Sequence, residues 1–298
     1  MTINIDLYTS LFADSKPLDV VIDTDTYNEV DDQFSVAYAL LSPERLNVLA
    51  CYAAPFINDR TSCPADGMRM SMAELEKIYN LLEIDSEQRI YNGATTLISD
   101  TNAPAESDAV QHLIRQAHER TDKPLCVICI AALTNLASAL MIDPSIAQKI
   151  VVVWLGGHPY NWHTANEFNL AMDIKATKQV LESNAPLIHI PCKNVAEHLR
   201  MTIPELEVHL GTRSLISRYL FSIFKDYLGN KPGWARPIWD IAAIASLIDH
   251  RFVSMNQAQL PSLNSDLTWN TTTFVRPVLT AYSINRNLIY NDFFCKIQ

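Results

Sequence analysis

The sequence predicts an α/β fold on an open, mostly parallel β-sheet flanked by helices, and three observations carry that expectation. Short apolar runs rich in Val and Ile recur along the chain, amphipathic stretches stand between them, and acidic or amide residues begin where the runs end. Continuous apolar runs suit strands buried on both faces, as in parallel sheets whose crossover helices cover both sides. The first run is Leu18 to Ile22. Behind it, Phe34, Ala37, Tyr38 and Leu41 fall at i, i+3, i+4 and i+7, one stripe of a helix closed by Pro43. Leu46 to Ala54 repeats the strand pattern, and 65–82 and 104–120 read as helices. Leu125 to Ile130 and Ile150 to Leu155 are two more buried strands, with a helix at Leu133 to Leu140 between them. Residues 173–183 and 204–228 read as helical around a short strand, Leu187 to Ile190. Asp240 to Ile248 is an apolar helix, and the tail from Thr268 alternates Thr, Val and Tyr with polar residues, as late edge strands would.

Apolar residues make up 48% of the 298 and charged ones only 19%, against a usual charged share of about 25%, so a large core is expected. No repeat, low-complexity segment or Gly/Ser linker marks a boundary, and the chain reads as one domain over 1–298, with 1–17 as an N-terminal extension. The 33 acidic against 23 basic side chains argue against a nucleic-acid partner, which needs Lys and Arg to neutralise phosphates. No apolar stretch reaches the roughly 18 to 20 residues that cross a bilayer, and the start lacks a basic region leading into a long apolar one. A cytoplasmic protein with no membrane partner is expected. The six dispersed cysteines do not form a disulfide framework, and Cys126 and Cys129, inside a buried strand, read as core rather than as a redox or zinc pair. Only seven glycines are present, and neither GxGxxG nor GxxxxGK[ST] can be assembled from them.

The segment Val20 to Asp32, VVIDTDTYNEVDD, packs four Asp and one Glu into ten residues directly after a strand. Carboxylates so close repel one another unless a cation or shared protons compensate, and a hard metal with oxygen ligands is the economical answer. Helix capping accounts for Asp31 and Asp32, each favoured by roughly 0.3 to 1 kcal/mol in a first turn, and leaves the others unexplained. Open α/β sheets bind ligands at the carboxyl ends of their strands. Other strand ends there carry Thr134 and Asn135, then Gly156-Gly157 with Asn161, Asn166, Glu167 and Asn169, and later Trp239 and Asp240. Each has an ordinary reading alone: an N-cap for Thr134 or Asp240, turn chemistry for the Asn residues, core for Trp239.

Taken in order, DTDTYNEVDD from Asp23, LTNLA from Leu133, a GG loop leading to EFN at Glu167 to Asn169 with Asp173 beyond, and WDIAAIA from Trp239 resemble the nucleoside hydrolases over roughly residues 18 to 250. The resemblance implies a single-domain, Rossmann-like nucleoside hydrolase fold and calcium-dependent cleavage of the N-glycosidic bond of ribonucleosides to base and ribose. It further implies calcium held by Asp25, Asp32, the backbone carbonyl of Thr134 and Asp240. Asp25 would be the base that activates water. Asp31, Asn58 and Asn161 would meet the ribose, and Glu167 and Asn169 its 5′-hydroxyl end. A homodimer or homotetramer is the implied assembly. Two departures stand out. Five residues separate Asp25 from Asp31 where the family pattern has three, so the loop must bulge. Trp239 stands where many members have His, which resembles the purine-preferring branch and leads us to expect purine nucleosides to be slightly favoured, with Trp239 stacking on the base. Tyr227, Trp162 and Trp234 are further base-pocket candidates, and His158 and His163, flanking the loop, could be acid or base contacts or plain loop residues.

Two other readings stay open on sequence. Asp23-Thr24-Asp25-Thr26 also fits the DxDxT start of a haloacid-dehalogenase-like phosphatase, with Asp23 as nucleophile, although no later acidic pair for magnesium follows. A non-catalytic, calcium-dependent nucleoside or sugar binder on the same fold is the other.

Overall fold

The computed structural model describes residues 5–13, 16–121, 123–229 and 231–298. In chain order the strands are β1 (Leu18–Thr24), β2 (Leu46–Ala53), β3 (Ile90–Asn92), β4 (Leu125–Cys129), β5 (Ile150–Leu155), β6 (Leu187–Ile190), β7 (Arg200–Met201), β8 (Arg236–Pro237), β9 (Val253–Leu263) and β10 (Trp269–Ile284). The α-helices are α1 (Ile5–Ser10), α2 (Asp31–Leu40), α3 (Pro64–Leu81), α4 (Ile98–Thr101), α5 (Asp108–Glu119), α6 (Thr134–Ile142), α7 (Phe168–Met172), α8 (Ile174–Glu182), α9 (Ile203–Leu210), α10 (Leu215–Leu228), α11 (Ile241–Ile248) and α12 (Arg286–Lys296).

Eight strands make one sheet in the order β3-β2-β1-β4-β5-β6-β10-β9, while β7 and β8 pair separately. All neighbours in the large sheet run parallel except the β9–β10 hairpin. Alternation along the strands divides the core into two layers. Val20 and Ile22 join Phe34, Leu75 and Ile244 on one face of the sheet, and Val21 joins Val110, Leu136 and Val180 on the other. From β1 the chain steps outward through β2 and β3, then crosses back to β4 and builds in the opposite direction. That reversal opens a crevice at the carboxyl ends of β1 and β4, where open α/β sheets bind their ligands.

The α/β expectation holds and several details shift. The 204–228 helix is two, α9 and α10, because the chain turns after Leu210 and Ser214 caps a new start by accepting a hydrogen bond from Ser217 N. The 104–120 helix starts at Asp108, where Ser107 is the cap. The tail is a hairpin whose first strand begins at Val253, and β9 rather than β10 is the edge. Strand β3 and helix α12 had no expectation attached to them. Of the extension 1–17, residues 1–4, 14 and 15 lie outside the described residues. Ile5–Ser10 is helical and docked: Tyr8 is buried and its hydroxyl donates to Ser246 O at 2.7 Å, on α11. Cys126 and Cys129 are fully buried core, as expected. Among the described residues no helix is long and apolar enough to cross a membrane.

Candidate active site

Strand β1 delivers Asp25 to the crevice and α2 begins six residues later. The lengthened segment between them is absorbed in a turn closed by Asn28 N donating to Asp25 O at 2.8 Å, with Tyr27 held at φ +83°. A bulky residue is strained in that left-handed region. Arg60 steadies it, its guanidinium 4.8 Å over the Tyr27 ring and donating to Tyr27 O. The expected bulge is therefore present, and it returns Asp31 and Asp32 to the first turn of α2.

Asp240 comes from the other end of the chain, at the start of α11, which packs on α2. Asp31, Asp32 and Asp240 each bring a carboxylate oxygen within 4.8 Å of the others, and all are buried, at 3%, 2% and 3% exposure. Asp25 adjoins Asp32 at hydrogen-bonding range, and Asp31 adjoins Asp240 in the same way. Burial, then the charges of Asp32 and Asp31, drive the Asp25 carboxyl well above the usual aspartate range. Burial followed by Asp31 does the same to Asp32, and burial followed by Asp31, Asp32 and Asp25 to Asp240. Asp31 is raised to about 7 by burial and Glu29, with Arg236 opposing. Its Oδ1 is buried without a hydrogen-bond partner. Buried, mutually repelling carboxylates fit a cation, which removes the repulsion.

Asp23 is not part of this wall. Its carboxylate accepts from Asn135 Nδ2 at 2.8 Å, and burial raises it to about 7. The phosphatase reading requires Asp23 to face the substrate, which it does not.

The acids form one side of a cavity of about 260 Å³. Across it, Gly157 turns at φ +61° and its N–H donates to Glu167 at 2.8 Å, while Glu167 caps α7 by accepting from Asn169 N at 3.0 Å and Leu170 N at 3.1 Å. Burial pushes the Glu167 carboxyl up against these three donors. Asn169 donates to Leu155 O at 3.1 Å. Asp25, Asp31, Asp32, Glu167, Asn169, Trp239 and Asp240 thus line one cavity, and His158 joins them with an unpartnered Nδ1.

Three expected residues fall elsewhere. Thr134 is off the cavity wall: its hydroxyl donates to Asp173 at 2.9 Å and its carbonyl accepts from Ser138 Oγ at 2.7 Å, inside α6. Ile130, directly after β4, lines the cavity instead, because a strand's end is where the backbone leaves its ladder. Asn58 lies in an adjoining groove, donating to Asn28 Oδ1 at 3.0 Å, and Asn28 in turn donates to Asp25 at 3.1 Å. Asn161 is exposed and is not on the cavity wall. His163, also exposed, sits beside Trp162 at 5.6 Å. Tyr227 lines the adjoining groove and Trp234 is 57% exposed.

The wall also holds residues not picked from sequence: Asn28, Glu29, Phe168, Cys192, Lys193 and Arg236. Arg236 pairs with Glu29 and stacks on Tyr227 at 4.4 Å. Lys193 follows the end of β6, so the rule that drew attention to the other strand ends also covers it.

Residues 20–279 match the family model for inosine-uridine preferring nucleoside hydrolase. The chain belongs to that nucleoside hydrolase family. A 96-residue stretch is 31% identical to the pyrimidine-specific ribonucleoside hydrolase RihA of Klebsiella pneumoniae (strain 342), spanning 31% of this chain and 30% of that protein. The chain therefore aligns with under a third of that relative's length. Among solved structures, the plant nucleoside hydrolase PpNRh1 is 19% identical with a TM-score of 0.71, the match covering 94% of this chain and 99% of that one. An inosine-guanosine nucleoside hydrolase is 14% identical with a TM-score of 0.73, over 94% and 98%. At such identities the likeness establishes the shared fold. The family's reaction class is N-glycosyl hydrolysis, and the Asp31, Asp32 and Asp240 cluster suits a metal site at its expected place.

Proposed function

We propose that the chain hydrolyses the N-glycosidic bond of ribonucleosides to free base and ribose with calcium bound, purine nucleosides being slightly favoured. The convergence of Asp31, Asp32 and Asp240 in the cavity that also holds Asp25, Glu167 and Trp239 is the observation that carries this reading. Asp25, Asp32 and Asp240 would hold the ion, as the resemblance implies, Asp25 being at hydrogen-bonding range of Asp32 and Asp31 standing close to Asp32 and Asp240. Ile130, which lines the cavity, would supply the backbone carbonyl expected of Thr134. When bound, calcium would orient the ribose diol and make a water easier to deprotonate.

The residues divide the remaining work. Asp25 takes the proton of the attacking water, and the Asn28 amide fixes the direction of its carboxylate. Asn58, reaching Asp25 only through Asn28, is a positioning residue rather than a ribose contact. The free Oδ1 of Asp31 accepts from a ribose hydroxyl. Glu167 and Asn169, both fixed by backbone partners, receive the 5′-hydroxyl end. Positive charge develops on the ribose ring as the bond breaks, and the surrounding carboxylates stabilise it. Trp239 offers a stacking face to the base.

The test is ribose release from inosine, guanosine, adenosine, uridine and cytidine by calcium-replete protein, followed by a reducing-sugar assay. We expect turnover that stops on chelation and returns with calcium. Tight nucleoside binding with no ribose formed would replace the enzyme with the calcium-dependent binder.

A further inference from the structure

We infer that Lys193 is the proton donor to the departing base, an inference that rests on the hydrolase reading above. Heterolysis of the C1′–N bond leaves an electron pair on the base, which then needs a hydrogen-bond donor or a proton. The Trp239 ring face supplies neither. Among the other groups on the cavity wall, Asn28 is engaged with Asp25 and Asn169 with Leu155 O, the Cys192 thiol is a weak donor, and Arg236, paired with Glu29 but with its Nε unpartnered, carries a guanidinium that does not give up a proton. His158 is next to Lys193, and burial with that cation holds its imidazole in the neutral form, a weaker donor.

Lys193 stands differently. Its Nζ lies over the Trp239 ring, 5.6 Å from the centroid, so a base that stacks on that face meets the ammonium directly. Its ion pair with Glu197 is long, 3.3 Å, and Glu197 is held independently by Arg200 at 2.7 Å. The ammonium can therefore turn toward a ligand without stranding Glu197, and its side chain is 38% exposed, enough to exchange protons with solvent. In the step, the C1′–N bond breaks with its electrons going to the base and the water oxygen bonds to C1′. One water proton passes to Asp25, and the base nitrogen takes a proton from Lys193. Lys193 is reprotonated from solvent as Asp25 releases its own proton.

K193Q and K193R, calcium-replete, are assayed on inosine and on p-nitrophenyl β-D-ribofuranoside, whose phenolate leaves without protonation. We expect K193Q to lose about 100-fold in kcat on inosine and under about threefold on the nitrophenyl riboside, with K193R, which keeps the charge but has no proton to give up, recovering little of the difference; full recovery by K193R would overturn the proton transfer. The second substrate needs the same ribose contacts, so it also reports whether the variant folds. Equal losses on both substrates, or inosine turnover by K193Q close to the parent's, would overturn the assignment. A parent protein that releases ribose from no nucleoside overturns the hydrolase reading and this inference with it.

Discussion

Asp23 and Asp25 are two positions apart at the end of one strand and have opposite surroundings. Asn135 ties Asp23 into the interior, whereas Asp25 faces the cavity under the Asn28 amide and beside Asp32. Their roles differ accordingly. Asp25→Asn keeps the shape and removes a proton acceptor, so kcat should fall by roughly 100- to 10,000-fold while the melting temperature of the metal-free protein holds or rises, one repelling charge being gone. Steady-state ribose release and a thermal melt check both halves; near-normal turnover would remove Asp25 as the base. Trp239→Ala addresses the leaving group. Stacking is worth about 1 to 3 kcal/mol per base by alanine substitution, so kcat/KM for purine nucleosides should drop by about 5- to 150-fold, and by less for pyrimidines with their smaller ring. Equal losses across the nucleoside panel would dismiss the stacking role.

At the scale of elements, the site is three helix N-termini and four strand ends brought together, and its legibility in the sequence follows from that. Strands β1, β4, β5 and β6 are buried on both faces, so they read as apolar runs, and the acids that follow them could be found by position alone. Strand β3, three residues long, is too short to show a period, and β9 and β10 are broken by register shifts that interrupt their alternation. A carbonyl ligand has no side-chain signature, so the motif around Thr134 is visible in the sequence while the residue of this segment that lines the cavity lies four positions earlier, at Ile130. Arg236 was invisible because its partner, Glu29, is over 200 residues away. Asp173 shows what the motif around Thr134 does instead. Its carboxylate accepts from Ile98 N at 2.7 Å, Ser99 N at 3.0 Å, Ser99 Oγ at 2.7 Å, Thr134 Oγ1 at 2.9 Å and Ala176 N at 3.2 Å, strapping α4, α6 and α8 together. Asp173→Ala strands several buried donors and should cost about 3 to 5 kcal/mol in urea unfolding. Calcium affinity, followed by titration calorimetry, should change little, and a loss beyond about tenfold (about 1.4 kcal/mol) would return Thr134 to the metal shell.

For the whole molecule, the crevice concentrates negative charge in a chain that is already acidic, with a net charge of -10. This couples folding to both pH and metal. Asp23 and Asp31 are raised to about 7, and Asp25, Asp32 and Asp240 well above the usual aspartate range of about 4. Between those limits the folded chain holds protons that the unfolded chain has released, so these groups favour the fold at lower pH and that contribution is lost as pH rises through their folded values. Buried His112 and His189, lowered to about 4, act in the opposite sense, but only up to the ordinary histidine range near 6.5. Above that the acids act alone. Metal-free protein should therefore melt at progressively lower temperature from about pH 6.5 to about pH 8. Calcium binds the deprotonated shell, so the stabilisation it confers should grow over the same interval. Asp23 lies outside that shell, so a residual decline in the calcium-loaded protein should disappear in Asp23→Asn. Paired thermal melts with chelator and with calcium across this range decide the matter: a melting temperature that rises with pH in chelator, or a calcium shift independent of pH, would mean that the five carboxyls do not share the buried charge described here.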